Sequence, residues 1–195
     1  MKSNKLVNLL FIGLSSLFPS VSLLADNQTN LVDTLAQAPI LATFDGQYQY
    51  LSKLYYQGPE KPRQPRSVVV LNFMGLNCPP CKKEMPLFFE VVRSSVETGA
   101  KAGNSIRYFL ISIDPLSSKE ELRSFLEEQK VNINTEVLLD PYQKAAEKFS
   151  VVGIPRTFVI SAEGWITADI SGNVPDYKKL LINGIATALS KKVSP

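Results

Sequence analysis

No histidine occurs anywhere in the 195 residues, and cysteine occurs only twice, at Cys78 and Cys81. Without histidine the chain lacks the usual general base near neutral pH and the commonest metal ligand. Chemistry here must run on cysteine, carboxylates, lysine or backbone groups. Charge of one sign is also scarce. The 21 basic and 18 acidic side chains leave a formal charge of +3. Lys2 and Lys5 sit in an apolar N-terminal leader, so the remainder carries 19 against 18, or +1. That balance provides no footprint for nucleic acid. The one basic cluster, Lys61-Pro62-Arg63-Gln64-Pro65-Arg66, reads as a solvated linker. No internal repeat and no low-complexity tract is present. Hydrophobic residues make up 45% of the chain, enough for a real core.

The N-terminus reads as an export signal. Lys2 and Lys5 precede an apolar run from Leu6 to Phe18, Pro19 breaks it, and small residues follow. Cleavage is expected after Ala25 or Ser22. The competing reading is a retained membrane anchor, since no charge falls between Leu6 and Ala25, close to the span of a bilayer. Either way the rest of the chain is expected outside the cytosol, in the periplasm or on the outer face of the membrane, where disulfides persist. Contact with a membrane is expected only if the segment is retained.

Three parts are expected: residues 1–25 as signal or anchor, 26–66 as an extension with a lead-in hairpin and linker, and 67–192 as the main domain. In the extension, Asp45-Gly46 is a turn signal, and Tyr48, Tyr50 and Leu54 alternate with polar residues. Ser67 to Phe73 is a β-branched apolar run, as suits a strand buried on both faces. Lys82 to Glu97 has helical spacing, with Met85, Phe88, Phe89 and Val92 on one side and Pro86 as a kink. Ile106 to Ile113 predicts a second buried strand. Ser117 to Glu120 reads as a capping box opening a helix to Lys130. Val137 to Leu139 predicts a short strand. Asp140-Pro141 predicts the start of a helix reaching Phe149. Strands follow at Pro155 to Ser161 and Trp165 to Ile170, around Ala162-Glu163-Gly164, then a helix from Pro175 to Ser190. Alternating strands and helices imply parallel strands with helical crossovers. The closing hairpin makes the sheet mixed. The fold class is an α/β sandwich, a central mixed sheet flanked by helices.

The cysteine pair admits few readings. A structural zinc site needs four ligands, usually Cys or His, and two are missing. Covalent haem attachment needs His after the second cysteine, where Lys82 stands. No metal and no cofactor is expected. A structural staple would gain only about 2 kcal/mol from a four-residue ring, against about 4.7 for a 100-residue loop. A redox pair explains the position as well as the spacing. Cys78 falls between a buried strand and a helix, where free N–H groups and the helix dipole favour a thiolate. Pro79 costs little in a first turn. Cys78 is then the attacking nucleophile, and Cys81, one turn on and more buried, resolves the mixed disulfide.

With these residues in place, the chain resembles the thioredoxin superfamily, in particular the exported TlpA/ResA-like thiol–disulfide oxidoreductases grouped with redoxin and AhpC/TSA-like domains. Four stretches carry the resemblance: FDGQYQYLSKL, VVVLNFMGLNCPPCKKEMP, LISID and DPYQKAAEKFSVVGIPRTFVISAEG. It implies a thioredoxin-like sandwich with Cys78 and Cys81 as a redox-active disulfide. It further implies that Pro155 is a cis-proline facing the pair, with Ile154 presenting backbone to an incoming peptide. Glu84 matches an acidic position of this branch and stands either as a proton relay to Cys81 or as a solvated helix residue. Asn72 replaces the buried acid of ordinary thioredoxins. Asn77 and Met74 occupy places where aromatic residues are usual, which flattens the expected docking surface.

The resemblance suggests a reductive role with protein thiols or disulfides as clients, apocytochrome c among them, and an upstream electron-donor protein. Two other functions compete. A peroxiredoxin needs Thr three residues before its cysteine and Pro seven before, where Gly75 and Leu71 stand. A non-catalytic interaction module on the same fold would survive loss of both cysteines.

Overall fold

The computed structural model describes residues 29–55, 66–172 and 174–191. The expected signal or anchor, and the linker except Arg66, lie outside the described residues. Seven strands and five α-helices follow in the order β1 (Ile40–Thr43), β2 (Tyr48–Tyr50), β3 (Val68–Met74), α1 (Pro79–Lys101), β4 (Ile106–Ser112), α2 (Lys119–Glu128), α3 (Ile133–Glu136), β5 (Val137–Leu139), α4 (Lys144–Lys148), β6 (Arg156–Ile160), β7 (Ile166–Ser171) and α5 (Tyr177–Ser190). They form one sheet in the order β2-β1-β5-β4-β3-β6-β7. The three central strands β3, β4 and β5 are parallel. Both flanks are antiparallel: β6 on β3, β7 on β6, β1 on β5 and β2 on β1. This is the mixed-sheet α/β sandwich that the element order predicts.

Strand β3 is buried along its whole length, as its unbroken apolar run requires. Its alternate residues feed two cores. Val68, Val70 and Met74 face a layer with Phe88, Val92, Leu181 and Ile185, from α1 and α5. Val69, Leu71 and Phe73 face Ala145, Ala146 and Phe149 on and beside α4. Asn72 occupies the α1/α5 side and is the one polar side chain in that row of β3. Met74 is fully buried, so it contributes nothing to a docking surface, while Asn77 is exposed.

Several expected boundaries move. Helix α1 begins at Pro79, directly after Cys78 as the strand-to-helix junction predicts, but runs through Pro86 beyond Glu97 to Lys101. A proline at the first helical position costs no hydrogen bond, which lets the helix start beside Cys78. The Ser117–Glu120 capping box does not form. Leu116–Ser118 is a 3₁₀ turn, and Ser118 makes no side-chain cap with its backbone away from the extended geometry that capping uses. Asp140 does cap, accepting 2.8 Å from the Ala146 amide, but α4 starts only at Lys144, after Gln143 in the left-handed region. The short helix α3 is an element the sequence reading did not anticipate, although Asn132 caps it by accepting 3.3 Å from the Asn134 amide. The polar stretch before β1 is also more ordered than its composition implies. It runs beside β7, with Asp33 N donating 2.9 Å to Ile166 O and Leu35 bridging Trp165.

Gly184 sets how closely α5 lies on the sheet. A Cβ there would sit 2.5 Å from Ala168 Cβ and 3.2 Å from Val159 Cγ2. Alanine is favoured over glycine in a helix by about 1 kcal/mol. Gly184→Ala is nonetheless expected to destabilise the protein by about 1–3 kcal/mol, because the helix must lift off β6 and β7. Urea unfolding of the two proteins checks this; an increase in stability would show that the contact relaxes freely.

Candidate redox site

The end of β3 delivers the chain into a tight loop, Gly75 to Asn77, and then into α1. Two contacts hold that loop. The Leu76 amide donates to both carboxylate oxygens of Asp114, at 3.0 and 2.9 Å, and Ser112 Oγ donates 2.7 Å to the same carboxylate. Ile154 packs on the other side, and a Cβ on Gly75 would sit 3.0 Å from its Cδ1. Sequence reasoning missed Asp114 and Gly75 as supports. Their partners lie far along the chain, and nothing local marks them.

Cys78 is the N-cap of α1, with extended backbone, and its Sγ accepts from the Cys81 amide at 3.2 Å. The two sulfurs form a disulfide. Cys78 is 6% exposed and Cys81 2%, so the first is the one nearer solvent. Pro79, Pro80 and Asn77 beside them are exposed. The Ile154–Pro155 peptide bond is cis. The Ile154 carbonyl oxygen lies 3.7 Å from Cys78 Sγ, although 76 residues separate the two. Cys78, Cys81, Ile154 and Pro155 therefore meet at the end of the sheet where the parallel strands finish.

Glu84 is not a solvated helix residue. It is 3% exposed and lies on the buried face of α1, three residues after Cys81 and four before Phe88. Its carboxylate accepts 2.9 Å from Asn72 Nδ2, and Thr157 Oγ1 lies 3.5 Å from the same oxygen. Asn72 gives its second N–H to Thr157 at 2.8 Å, and Thr157 meets the Tyr177 hydroxyl at 3.0 Å. Burial pushes the Glu84 carboxyl up to about 7, and hydrogen bonds from Asn72, Tyr177 and Thr157 pull against it. Burial, followed by the charge of Glu84, holds Tyr177 far above the usual tyrosine range. Glu84 was legible as a candidate only through its match to the family. Its burial follows from sharing the face of Cys81 and Phe88.

This carboxyl binds its proton more tightly in the folded protein than in the unfolded chain. Its stabilising contribution is fully present below the ordinary value of 4.5 and is lost as pH rises through about 7. The native protein is therefore expected to lose on the order of 3 kcal/mol relative to Glu84→Gln between pH 4.5 and 8. Urea midpoints of both proteins across that range provide the check; parallel curves would place Glu84 in contact with water.

Behind the cis-proline, on the opposite face of the sheet, lies a buried ion pair. Arg156 Nε donates 2.7 Å to Asp169 Oδ1 and Nη2 donates 2.8 Å to Oδ2, with both side chains 1% exposed. The pair also ties down the N-terminal segment. Arg156 Nη2 donates 2.8 Å to the Thr29 carbonyl, and Asp169 Oδ2 accepts 2.8 Å from the Leu31 amide. Among the described residues, no group of three His, Cys, Asp or Glu side chains is placed to hold a metal ion.

A disulfide capping a helix and facing a cis-proline, on a sheet of this order, defines a thioredoxin-like protein. The sequence profile of the AhpC/TSA family matches residues 60–169, and the chain belongs to that family. Among curated relatives, the thiol-disulfide oxidoreductase ResA of Bacillus subtilis (strain 168) is 27% identical over 121 residues, which cover 60% of this chain and 62% of that protein. The chain thus spans less than two thirds of that relative's length. Two solved structures share the fold. A thioredoxin-like protein from Porphyromonas gingivalis superposes with a TM-score of 0.60 at 19% identity, covering 81% of this chain and 94% of that one. A thiol:disulfide interchange protein of the thioredoxin family from Chlorobium tepidum gives 0.58 at 21%, covering 80% and 97%.

Proposed function

We propose that this protein is a thiol–disulfide oxidoreductase of the cell envelope, working in the reductive direction on disulfides of client proteins. The observation that carries the reading is the Cys78–Cys81 disulfide at the N-terminus of α1, with Cys78 Sγ against the Ile154 carbonyl. In the reduced protein the Cys78 thiolate attacks one sulfur of a client disulfide. A Cys78–client bond forms and the other client sulfur leaves as a thiolate. Cys81 then gives its proton to the Glu84 carboxylate, and its sulfur attacks Cys78 Sγ. The Cys78–Cys81 bond forms and the second client thiolate departs. The client gains two electrons and the cysteine pair loses two. An upstream protein dithiol restores the pair by the same steps in reverse.

Each residue has a stated part. Free amides at the start of α1 and the positive end of its dipole favour the Cys78 thiolate. Ile154 and cis-Pro155 present backbone beside the sulfur, where an extended client segment can lie. Glu84, buried one turn beyond Cys81, accepts its proton. The apolar run Leu6 to Phe18 supports export to the periplasm or to the outer face of the membrane. Among the described residues no helix is long and apolar enough to cross a membrane. The likeness to the thiol-disulfide oxidoreductase ResA supports client proteins with cysteine pairs, and we propose apocytochrome c as one such client.

The AhpC/TSA family match brings in a peroxidase as the second reading. Threonine would be needed at position 75, where even a Cβ would press on Ile154 Cδ1 at 3.0 Å. Insulin reduction and hydrogen peroxide consumption, run side by side on the reduced protein, separate the two. Insulin reduction is expected, with alkylation of Cys78 reaching half its maximal rate below the free-thiol value of about 8.5. Peroxide turnover without insulin reduction would replace this reading, and a Cys78 midpoint at or above that value would remove the nucleophile assignment.

A further inference from the structure

The Cys78–Cys81 ring is local. Both sulfurs belong to the start of α1, so the ring fixes the first turn and not the path by which the chain enters it. When the ring opens on reduction, other contacts must keep Cys78 at the N-cap. Upstream the chain is held at two points. Met74 lies in the sheet, its carbonyl accepting 3.0 Å from the Ile113 amide. Leu76 is gripped by Asp114, whose two carboxylate oxygens accept from the Leu76 amide at 3.0 and 2.9 Å. Only exposed Asn77 separates that grip from Cys78.

Asp114 is itself fixed. Ser112 Oγ donates 2.7 Å to its Oδ2 and accepts 3.1 Å from its amide. Ser112 is fully buried and lies between Met74 of β3 and Leu139 of β5 in the sheet. The grip on the loop is therefore referred to the three parallel strands. No cysteine atom takes part, so breaking the disulfide leaves every partner of the grip in place. Position matters to the thiolate. Cys78 Sγ accepts from the Cys81 amide at 3.2 Å, and its backbone is extended, as an N-cap requires. The field of a helix start fades within one turn, so a sulfur that drifts from the free amides loses it. It also loses its place beside the Ile154 carbonyl.

We propose that Asp114 is a positioning residue for the exchange reaction: through the Leu76 amide it holds the Cys78 sulfur at the start of α1 in the reduced protein. The inference rests on the reading of Cys78 as the nucleophile and deepens it. Asp114 acts through the loop and not through its charge, and the two actions differ in sign. A carboxylate acting by charge disfavours a nearby thiolate, so neutralising it would lower the Cys78 midpoint. Loss of the grip raises that midpoint, because the sulfur leaves the amides that favour its anion.

The test is alkylation of the reduced full chain across pH, with mass spectrometry reading the adduct on Cys78. Asp114→Ala removes the grip and the charge together. Its Cys78 midpoint is expected to rise by about one pH unit, a loss of thiolate of about tenfold below the midpoint. Its insulin reduction is expected to fall by about 10- to 100-fold. Asp114→Asn keeps an oxygen for the Leu76 amide without the charge and is expected to stay close to the native midpoint. Slow hydrogen exchange at the Leu76 amide is expected in both redox states of the native chain and is expected to be lost in Asp114→Ala. An unmoved midpoint in folded Asp114→Ala overturns the inference, since a merely structural contact would lower stability alone. A midpoint that falls in both variants overturns it in favour of charge. Loss of Leu76 protection on reduction of the native chain overturns it as well. If Asp114→Ala does not fold, Ser112→Ala removes only the hydroxyl that steadies the carboxylate. That variant is expected to raise the midpoint by about half a pH unit, and an unmoved value overturns the inference. A native Cys78 midpoint at or above about 8.5 removes the nucleophile reading and the inference together. A low native midpoint with unmoved variants removes the inference alone.

Discussion

Replacement of Cys81 by serine is expected to stop the exchange at its midpoint, with the client held on Cys78. The geometry makes the two cysteines unequal. Cys78 ends the loop, caps α1 and is the sulfur nearer solvent, with the Ile154 carbonyl beside it. Cys81 is one turn inside the helix and 2% exposed. A client disulfide can reach the first sulfur and not the second. With serine at position 81 the first attack proceeds and the second has no thiol. Client turnover should fall by about 10³-fold or more, as loss of a covalent nucleophile does elsewhere. A dithiol-sensitive adduct should accumulate, visible as a mass increase on a non-reducing gel. Cys78→Ser should lose turnover to the same extent and form no adduct. Adducts that form equally with either variant would show that the two sulfurs are interchangeable. Unchanged function in the double serine variant would leave an interaction module as the reading.

The second large effect lies away from the sulfurs. Asp169→Ala is expected to destabilise the protein by about 3–5 kcal/mol. The change leaves the Arg156 guanidinium buried with its counter-charge gone, and it also strips the Leu31 amide of its acceptor. Domains of this size hold only about 5–15 kcal/mol in total, so the variant should unfold at markedly lower urea. The exposed pair Lys144–Glu147 is the control, since Glu147→Ala should cost less than about 1 kcal/mol. Unfolding with the disulfide intact in every variant makes the comparison. A second readout is proteolysis near residues 29–36. That segment lies along β7 and the turn before it through backbone bonds such as Asp33 N to Ile166 O at 2.9 Å and Ala36 N to Gly164 O at 2.7 Å, and is anchored at Thr29 and Leu31 by the ion pair. Equal costs for Asp169→Ala and Glu147→Ala would mean that water reaches Arg156.

The two predictions draw on different kinds of knowledge. The cysteine pair could be read because its signal is local. A β-branched apolar run, two thiols three positions apart with two prolines between them, and an apolar stripe at helical spacing all lie within about 25 residues. The missing histidine narrowed the chemistry further. Glu84 stood undecided between two roles, because the deciding fact is which strand packs on its face of α1. The Arg156–Asp169 pair left no mark in the sequence at all. In the sequence Arg156 is a charge beside a proline, and Asp169 is a polar residue between apolar ones.

The failed capping box teaches the same point on a smaller scale. Ser117 to Glu120 has the right residues at the right spacing, but the preceding chain already turns as a 3₁₀ segment, so no extended residue remains to cap. Local chemistry proposed a helix start, and the path imposed by the end of β4 placed it.

By itself the sequence determined the order of strands and helices apart from the short α3, the two-sided burial of β3 and the place of Cys78 at a strand-to-helix junction. Each depends on periodicity or spacing over a few turns of chain, and short-range sterics and hydrogen bonding set such features directly. Only the tertiary structure decided that Ile154 would face Cys78 and that Asn72, Thr157 and Tyr177 would enclose Glu84. It also decided that Asp114 would hold the Leu76 amide and that Asp169 would meet Arg156. These contacts join residues on different elements. They exist because of which strands pair and which helix faces the sheet presents, and that choice belongs to the packing of the whole core.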